Sequence, residues 1–172
     1  MDEFGPLEIR PHPGAHWAKR GEPQRQPATY TRTQGVKHLL AAYDLKTDKL
    51  CAHGKDHKTW REFSQFLRYL RSRYPSEERL YIVLDNFKTH HKKEIKEWAA
   101  GNNVELVYTP TYASWLNRIE CHFGPLRKFA LEGAYYKDHK EQMRAIRRYI
   151  AYRNGHKKDE QILKVQKKIR VA

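Results

Sequence analysis

The chain has 172 residues, with 34 lysines and arginines against 20 acidic residues, a formal charge of +14 and a pI near 9.8. That length suffices for one domain with its own core, and 39% apolar with 31% charged residues excludes the disordered class. The two cysteines, Cys51 and Cys121, lack CxxC spacing, which argues against a disulfide framework or a zinc ribbon. The first residues contain no apolar signal-peptide core, and no apolar run approaches the roughly 18 residues needed to span a bilayer, so a cytoplasmic protein is the default. The excess of positive charge favours a polyanionic partner, nucleic acid above all, over a merely solvated basic surface.

Proline and glycine crowd residues 5–35, which read as loops around short strands, one of them near His16 to Lys19. Val36 to Tyr43 and Lys49 to Ala52 have strand composition, with Leu45 to Asp48 as the hairpin turn between them. Residues 59–74 change to helical spacing, with Trp60, Phe63, Leu67, Leu70 and Tyr74 on one face and Thr59 with Glu62 as a capping box. Leu80 to Leu84 is a short apolar run, typical of a strand buried on both faces, and it stops abruptly at Asp85-Asn86. A short helix over 91–100 follows, with Ile95, Trp98 and Ala99 inward and Gly101-Asn102 at its end. Val104 to Tyr108 is the next strand. Ser114 can cap a long helix whose apolar stripe is Trp115, Ile119, His122 or Phe123, Leu126 and Ala130. A last helix begins near Lys140 with Met143, Ile146 and Ile150 inward, and the basic tail over 154–172 can add a further short helix. The order predicts one α/β domain with a mixed sheet.

Three acidic positions carry candidate chemistry. Asp85 stands at the carboxyl end of a predicted buried strand, where open α/β sheets place ligands, although an aspartate there also makes a good helix cap. Glu120 lies at the edge of an apolar helical stripe, where it either faces a site or pairs with Arg127 or Lys128 on the surface. Asp2 and Glu3 form an acidic pair ahead of Phe4-Gly5-Pro6. Thirty-four residues separate Asp85 from Glu120, spanning one helix, one strand and a proline-containing loop.

The stretch Asp85-Asn86-Phe87-Lys88-Thr89-His90, together with Pro110 to Glu120 ending in Leu116-Asn117-Arg118-Ile119-Glu120, resembles the signature of the mariner superfamily of transposases, in its bacterial insertion-sequence branch. Trp17 followed by Gly21, the LLAAYD strand and the closing YIAYRNGHK segment extend the likeness over nearly the whole chain. The resemblance implies an RNase H-like fold and a DDE-type catalytic domain that cleaves and transfers DNA strands. It matches Asp2, Asp85 and Glu120 to the metal-holding catalytic carboxylates. Mg²⁺ or Mn²⁺ suits such oxygen ligands, and three carboxylates can hold two ions. Like charges so close also imply that at least one carboxyl pKa is raised when metal is absent.

Asn86, His90 and Asn117 are candidates for positioning water or phosphate near the metals, with a structural histidine as the equal alternative for His90. Lys88, His91, Lys92, Lys93 and Arg118, with Arg144, Arg147 and Arg148 on the last helix, are candidates for the DNA backbone, although any one of them can be only a solvated cation. Trp115 reads as a core residue rather than a base-stacking platform. Zinc is disfavoured despite ten histidines, since no HExxH is present.

The family pairs two element ends on double-stranded DNA, which implies a homodimer on DNA and a TA target. Its helix-turn-helix region is absent from this sequence, and a separately encoded or frameshift-joined N-terminal part would have to supply it. Only Met1 precedes Asp2, so the first strand is expected to be truncated and Asp2 loosely held, leaving the chain a weak transposase unaided. A nuclease of the same fold and a non-catalytic DNA-binding remnant are the alternative functions.

Overall fold

Strand β1 (Asp2–Glu8) begins on the acidic pair and runs antiparallel to β2 (Val36–Asp44), with Asp2 opposite Ala41 and Glu3 opposite Leu40. The computed structural model describes residues 1–15, 18–23, 25–30 and 34–156. The residues from Asp2 onward form the first strand. This corrects the expectation of a loosely held carboxylate: ladder pairing fixes the Asp2 backbone, and Asp2 is only 7% exposed. The register slips between Phe4 and Leu7, around Gly5-Pro6, where proline has no N–H to give the ladder.

The hairpin turn forms as read. β2 passes through residues 45–48 into β3 (Lys49–Lys55), which runs three residues beyond its expected end. The Asp44 carboxylate holds this turn by accepting the Lys46 N–H at 2.8 Å and the Thr47 N–H at 3.2 Å. Helix α1 (Trp60–Arg71) opens on the Thr59–Glu62 capping box and buries Phe63, Phe66, Leu67 and Leu70. Tyr74 falls beyond its end and donates its hydroxyl to Asp44 at 3.0 Å.

Strand β4 (Leu80–Leu84) pairs in parallel with β5 (Val104–Tyr108), and α2 (Lys93–Gly101) makes the crossover. The helix expected from residue 91 starts later because a 3-10 turn, Lys88–His91, precedes it. The segment from Ser114 differs most from expectation. Ser114–Leu116 is a single 3-10 turn, and α3 (Glu120–Ala130) starts only at Glu120. The Ser114 side chain, expected as a cap, lies outside the described residues. Trp115, read as core, is 74% exposed because no helix turns it inward. Helix α4 (His139–Gly155) starts with an Asp138 cap and covers the expected last helix. Of the strand expected near His16 to Lys19, residues 16 and 17 lie outside the described residues and 18–19 are not in a strand. The tail helix expected within 157–172 lies outside them too.

The layers are α/β/α. Phe63, Phe66 and Leu67 of α1 and Ile95 and Ala99 of α2 pack on one side with Leu40, Ile82 and Leu84. Ile119, Phe123 and Leu126 around α3 and Met143 and Ile146 of α4 pack on the other with Phe4, Leu39 and Ala41. The expected mixed sheet is divided into an antiparallel β1-β2-β3 part and a parallel β4-β5 part. The Met1 amino group bridges them, donating to the Val83 carbonyl at 2.7 Å. Among the described residues no helix is long and apolar enough to cross a membrane.

Burial would raise the Asp44 carboxyl, but hydrogen bonds from Thr47, Lys46 and Tyr74 outweigh it and hold the group below its ordinary 3.8. A depressed folded-state pKa stabilises above the unfolded value, and that contribution is lost as pH falls through the folded value. Asp44→Asn is therefore expected to lower the melting temperature at pH 7, with the gap closing below about pH 4. Thermal scans of both proteins from pH 7 to pH 3 test this, and a gap that stays constant would contradict it.

Candidate active site

Strand alternation turns neighbouring side chains to opposite faces. In β1 this sends Asp2, like Phe4, toward α3 and α4, and sends Glu3 toward α1. Asp85 is the residue after β4, and its carboxylate accepts the Phe87 N–H at 3.2 Å. Glu120 is the first residue of α3, its N–H bonded to the Asn117 carbonyl at 3.0 Å. A carboxylate suits that position, since the helix dipole is positive there.

Asp2, Asp85 and Glu120 thus come from a strand start, a strand end and a helix start, and Asp2 lies within reach of the charges of the other two. Burial drives the Asp2 carboxyl up to about 7. A hydrogen bond from the Glu3 N–H at 2.7 Å opposes that rise, while the charges of Asp85 and Glu120 and a hydrogen bond shared with Glu120 add to it. Asn117, only 2% exposed, orients the group by donating to Asp2 Oδ2 at 3.2 Å and to the Met1 carbonyl at 2.8 Å.

His90 is the second organiser. It is 1% exposed, with Nδ1 3.0 Å from Asp85 Oδ1 and Nε2 3.0 Å from Glu3 Oε1. Phe63 stacks on its ring at a centroid distance of 4.1 Å, and the Tyr108 hydroxyl donates to its carbonyl at 3.0 Å. Burial alone would lower the imidazole pKa, but the two carboxylates push it up to about 9, so the ring is a cation clamped between them. The His90 hydrogen bond in turn holds Asp85 below the usual carboxylate range, against burial. The sequence places Glu3 only in an acidic pair, Phe63 only on an apolar helical face and Tyr108 only at a strand end, and links none of them to His90. Only the parity of β1 hinted at Glu3, by placing it on the face opposite Asp2.

The other expected residues divide by location. Asn86 turns away from the carboxylates: its amide donates to the Thr109 carbonyl and its oxygen meets His91 Nε2 at 3.2 Å, while the His91 ring stacks on Tyr108 at 4.3 Å. Lys88, His91 and Lys92, in and just after the 3-10 turn, Lys93 at the start of α2, and Arg118, just before α3, are exposed on the segments after Asp85 and before Glu120. Arg144, Arg147 and Arg148 are exposed on α4. That helix packs over α3 and β3, and β3 is the strand farthest from β4. Tyr112 and Trp115, 92% and 74% exposed, project from the loop leading to Glu120.

The donor set fits a hard divalent cation. All three groups are carboxylates and one is buried; burial chiefly, with the charges of Asp85 and Glu120 adding to it, raises the Asp2 pKa, a cost that a cation would relieve. Among the described residues no three acidic, histidine or cysteine side chains are drawn together at metal-ligating distance. The three groups share one electrostatic field rather than one point.

Comparison with known proteins gives the family and the fold. The family described as DDE superfamily endonuclease matches residues 1–144. The insertion element IS630 uncharacterized 39 kDa protein of Shigella sonnei is 28% identical over 116 residues, covering 66% of this chain and 33% of that protein. A Mos1 transposase paired-end complex with the left transposon end aligns with a TM-score of 0.67 at 18% identity, over 98% of this chain and 50% of that one. A Mos1 mariner paired-end complex with Mn aligns with a TM-score of 0.68 at 17% identity, over 98% and 51%. The fold is thus RNase H-like, and the chain spans a third of the curated relative and about half of the solved ones.

Asn117→Ala removes the donor from two buried acceptors, and leaving such groups unsatisfied costs about 1–3 kcal/mol. Arg118→Ala, at an exposed neighbour, is expected to change stability by no more than about 0.5 kcal/mol. Urea unfolding of both variants checks this, and equal midpoints would remove Asn117 from the organisation of Asp2.

Proposed function

Because this chain belongs to the DDE superfamily endonuclease family, we propose that it is the catalytic domain of a transposase, cleaving and joining DNA strands with two Mg²⁺ or Mn²⁺ ions held by Asp2, Asp85 and Glu120. The observation that supports this reading is the buried Asp2 carboxyl, driven up to about 7 chiefly by burial and further by the charges of Asp85 and Glu120. Ions bound there would supply Lewis-acid charge for activating a water or 3′-hydroxyl and for the departing oxygen.

The chain's own residues arrange that chemistry. Asn117 aims Asp2 from the α3 side, and the His90 cation fixes the orientation of Asp85 while balancing Glu3. Supporting partners of metal ligands typically matter by about 10–100-fold in affinity or activity. Lys88, His91, Lys92, Lys93 and Arg118 offer positive charge to the phosphates flanking a scissile bond, and Arg144, Arg147 and Arg148 make a separate contact with the same backbone or with a second duplex. Contacts of this kind position DNA without reading its sequence and weaken as salt rises. Pairing of two element ends by two copies, and end recognition by a further N-terminal part, complete the proposal, with the cytoplasm as its location.

Two measurements test it. Millimolar Mn²⁺ is expected to raise the melting temperature, since a ligand at a hundredfold excess over its Kd stabilises by about 2.7 kcal/mol, and Asp85→Asn and Glu120→Gln are each expected to abolish the rise. On supercoiled plasmid, metal-dependent nicking is expected from the wild type and from neither variant, while all three bind DNA with the same salt sensitivity. Binding that ignores both metal and Asp85→Asn, with no nicking, would make the chain a DNA-binding remnant. Cutting without joined products would make it a nuclease.

A further inference from the structure

Lys58 stands in the turn between β3 and α1, one residue before the Thr59 cap, and is exposed. Its ammonium lies over the Phe87 ring, 5.1 Å from the centroid. That ring is held from two directions. The Phe87 N–H donates to the Asp85 carboxylate at 3.2 Å, and the ring meets His90 edge to face at a centroid distance of 5.7 Å. His90 is in turn bonded to Asp85 and stacked on Phe63 of α1. A short series of contacts therefore ties Lys58 to Asp85 on the α1 side of the sheet, across elements that are remote in sequence.

The acidic side chains near Lys58 are engaged elsewhere. Asp56 pairs with Lys37, Glu62 closes the capping box on Thr59, and Glu3 pairs with His90 at 3.0 Å. Among the described residues no carboxylate forms an ion pair with Lys58, and the ring quadrupole that attracts its ammonium leaves the charge intact. Arg68 on Trp98 and Arg79 on Tyr81 make contacts of the same kind, but among the described residues only Lys58 rests on a ring that touches His90. An acidic cluster repels the phosphates it has to approach, and cations fixed around it offset that repulsion. We propose that Lys58 is a phosphate-binding residue of the catalytic face, seated by Phe87 against the DNA strand beside the scissile bond, with Phe87 as its positioning residue. The inference rests on the reading of the chain as a transposase catalytic domain. Arg118 comes from the α3 side of the sheet and Lys58 from the α1 side, so the strand is held from both faces. A contact of this kind positions the duplex without reading its sequence.

The test is binding of a labelled random-sequence duplex, read by fluorescence anisotropy without metal between about 50 and 200 mM salt. Loss of one phosphate contact flattens the slope of log K against log salt by about 0.9. The wild type is therefore expected to lose about three- to fourfold more affinity than Lys58→Ala over that range. Lys58→Arg is expected to keep the wild-type slope, as is Lys46→Ala, whose cation pairs with Glu78 in the β2–β3 turn. Phe87→Leu is expected to weaken binding by about two- to fivefold in the wild type and to have no effect in the Lys58→Ala background, since the ring acts through the lysine. Should Phe87→Leu fail to fold, Lys58→Ala against Lys58→Arg decides alone. The proposal is overturned by a Phe87→Leu effect that persists without Lys58, or by Lys58→Arg flattening the slope as much as Lys58→Ala. A salt-sensitive wild type matched by Lys58→Ala sinks this inference and leaves the catalytic reading standing, whereas a wild type with no salt-dependent binding sinks both.

Discussion

Burial of the Asp2 carboxyl within reach of other acidic side chains is the constraint to which the rest of this structure responds. Asp2, Glu3, Asp85 and Glu120 crowd the place where the antiparallel and parallel parts of the sheet meet, in a molecule that is otherwise strongly basic. Each charge has an answer. The buried His90 cation lies between Glu3 and Asp85, Asn117 and the Glu3 N–H hold Asp2, and the start of α3 receives Glu120. Asp2 retains the largest unrelieved cost, visible in its raised pKa. A site that binds cations needs such a residual deficit of positive charge, because a fully compensated cluster would gain little from an ion.

The scaffold serves this cluster by rigidity. β1 is pinned by β2, β4 by β5, and α1 presses Phe63 onto the His90 ring. The elements on either side belong to separate apolar cores, so the carboxylates stand at the boundary between two independently packed layers. The bond from the Met1 nitrogen to the Val83 carbonyl crosses that boundary.

Much of the fold was readable because its signals are local. The capping box at Thr59 and Glu62, the apolar run Leu80 to Leu84 and the turn after Asp44 each depend on residues within a few positions of one another, and each formed where expected. The reading failed where a periodic stripe competed with chain geometry. Trp115 matches the spacing of an apolar helical face, but the helix begins five residues later, leaving the ring in solvent. Asp2 was misjudged for the opposite reason: the residues that hold it follow it in sequence and lie across a ladder, where no local pattern reports them.

Asp85 and Glu120 were identifiable from residue type and setting, a carboxylate ending a buried strand and another within a Leu-Asn-x-Ile-Glu segment, because motif chemistry is written in contiguous residues. The charge of +14 likewise pointed to a polyanion without any coordinates. Which residues surround those carboxylates was settled only by folding. Glu3 meets His90 across 87 positions and Asn117 meets Asp2 across 115, separations over which composition and periodicity carry no information. Those pairings arise when strand parity, ladder register and helix packing act together. The same three-dimensional decisions turned His90 inward as a cation and sent Asn86 away from the site.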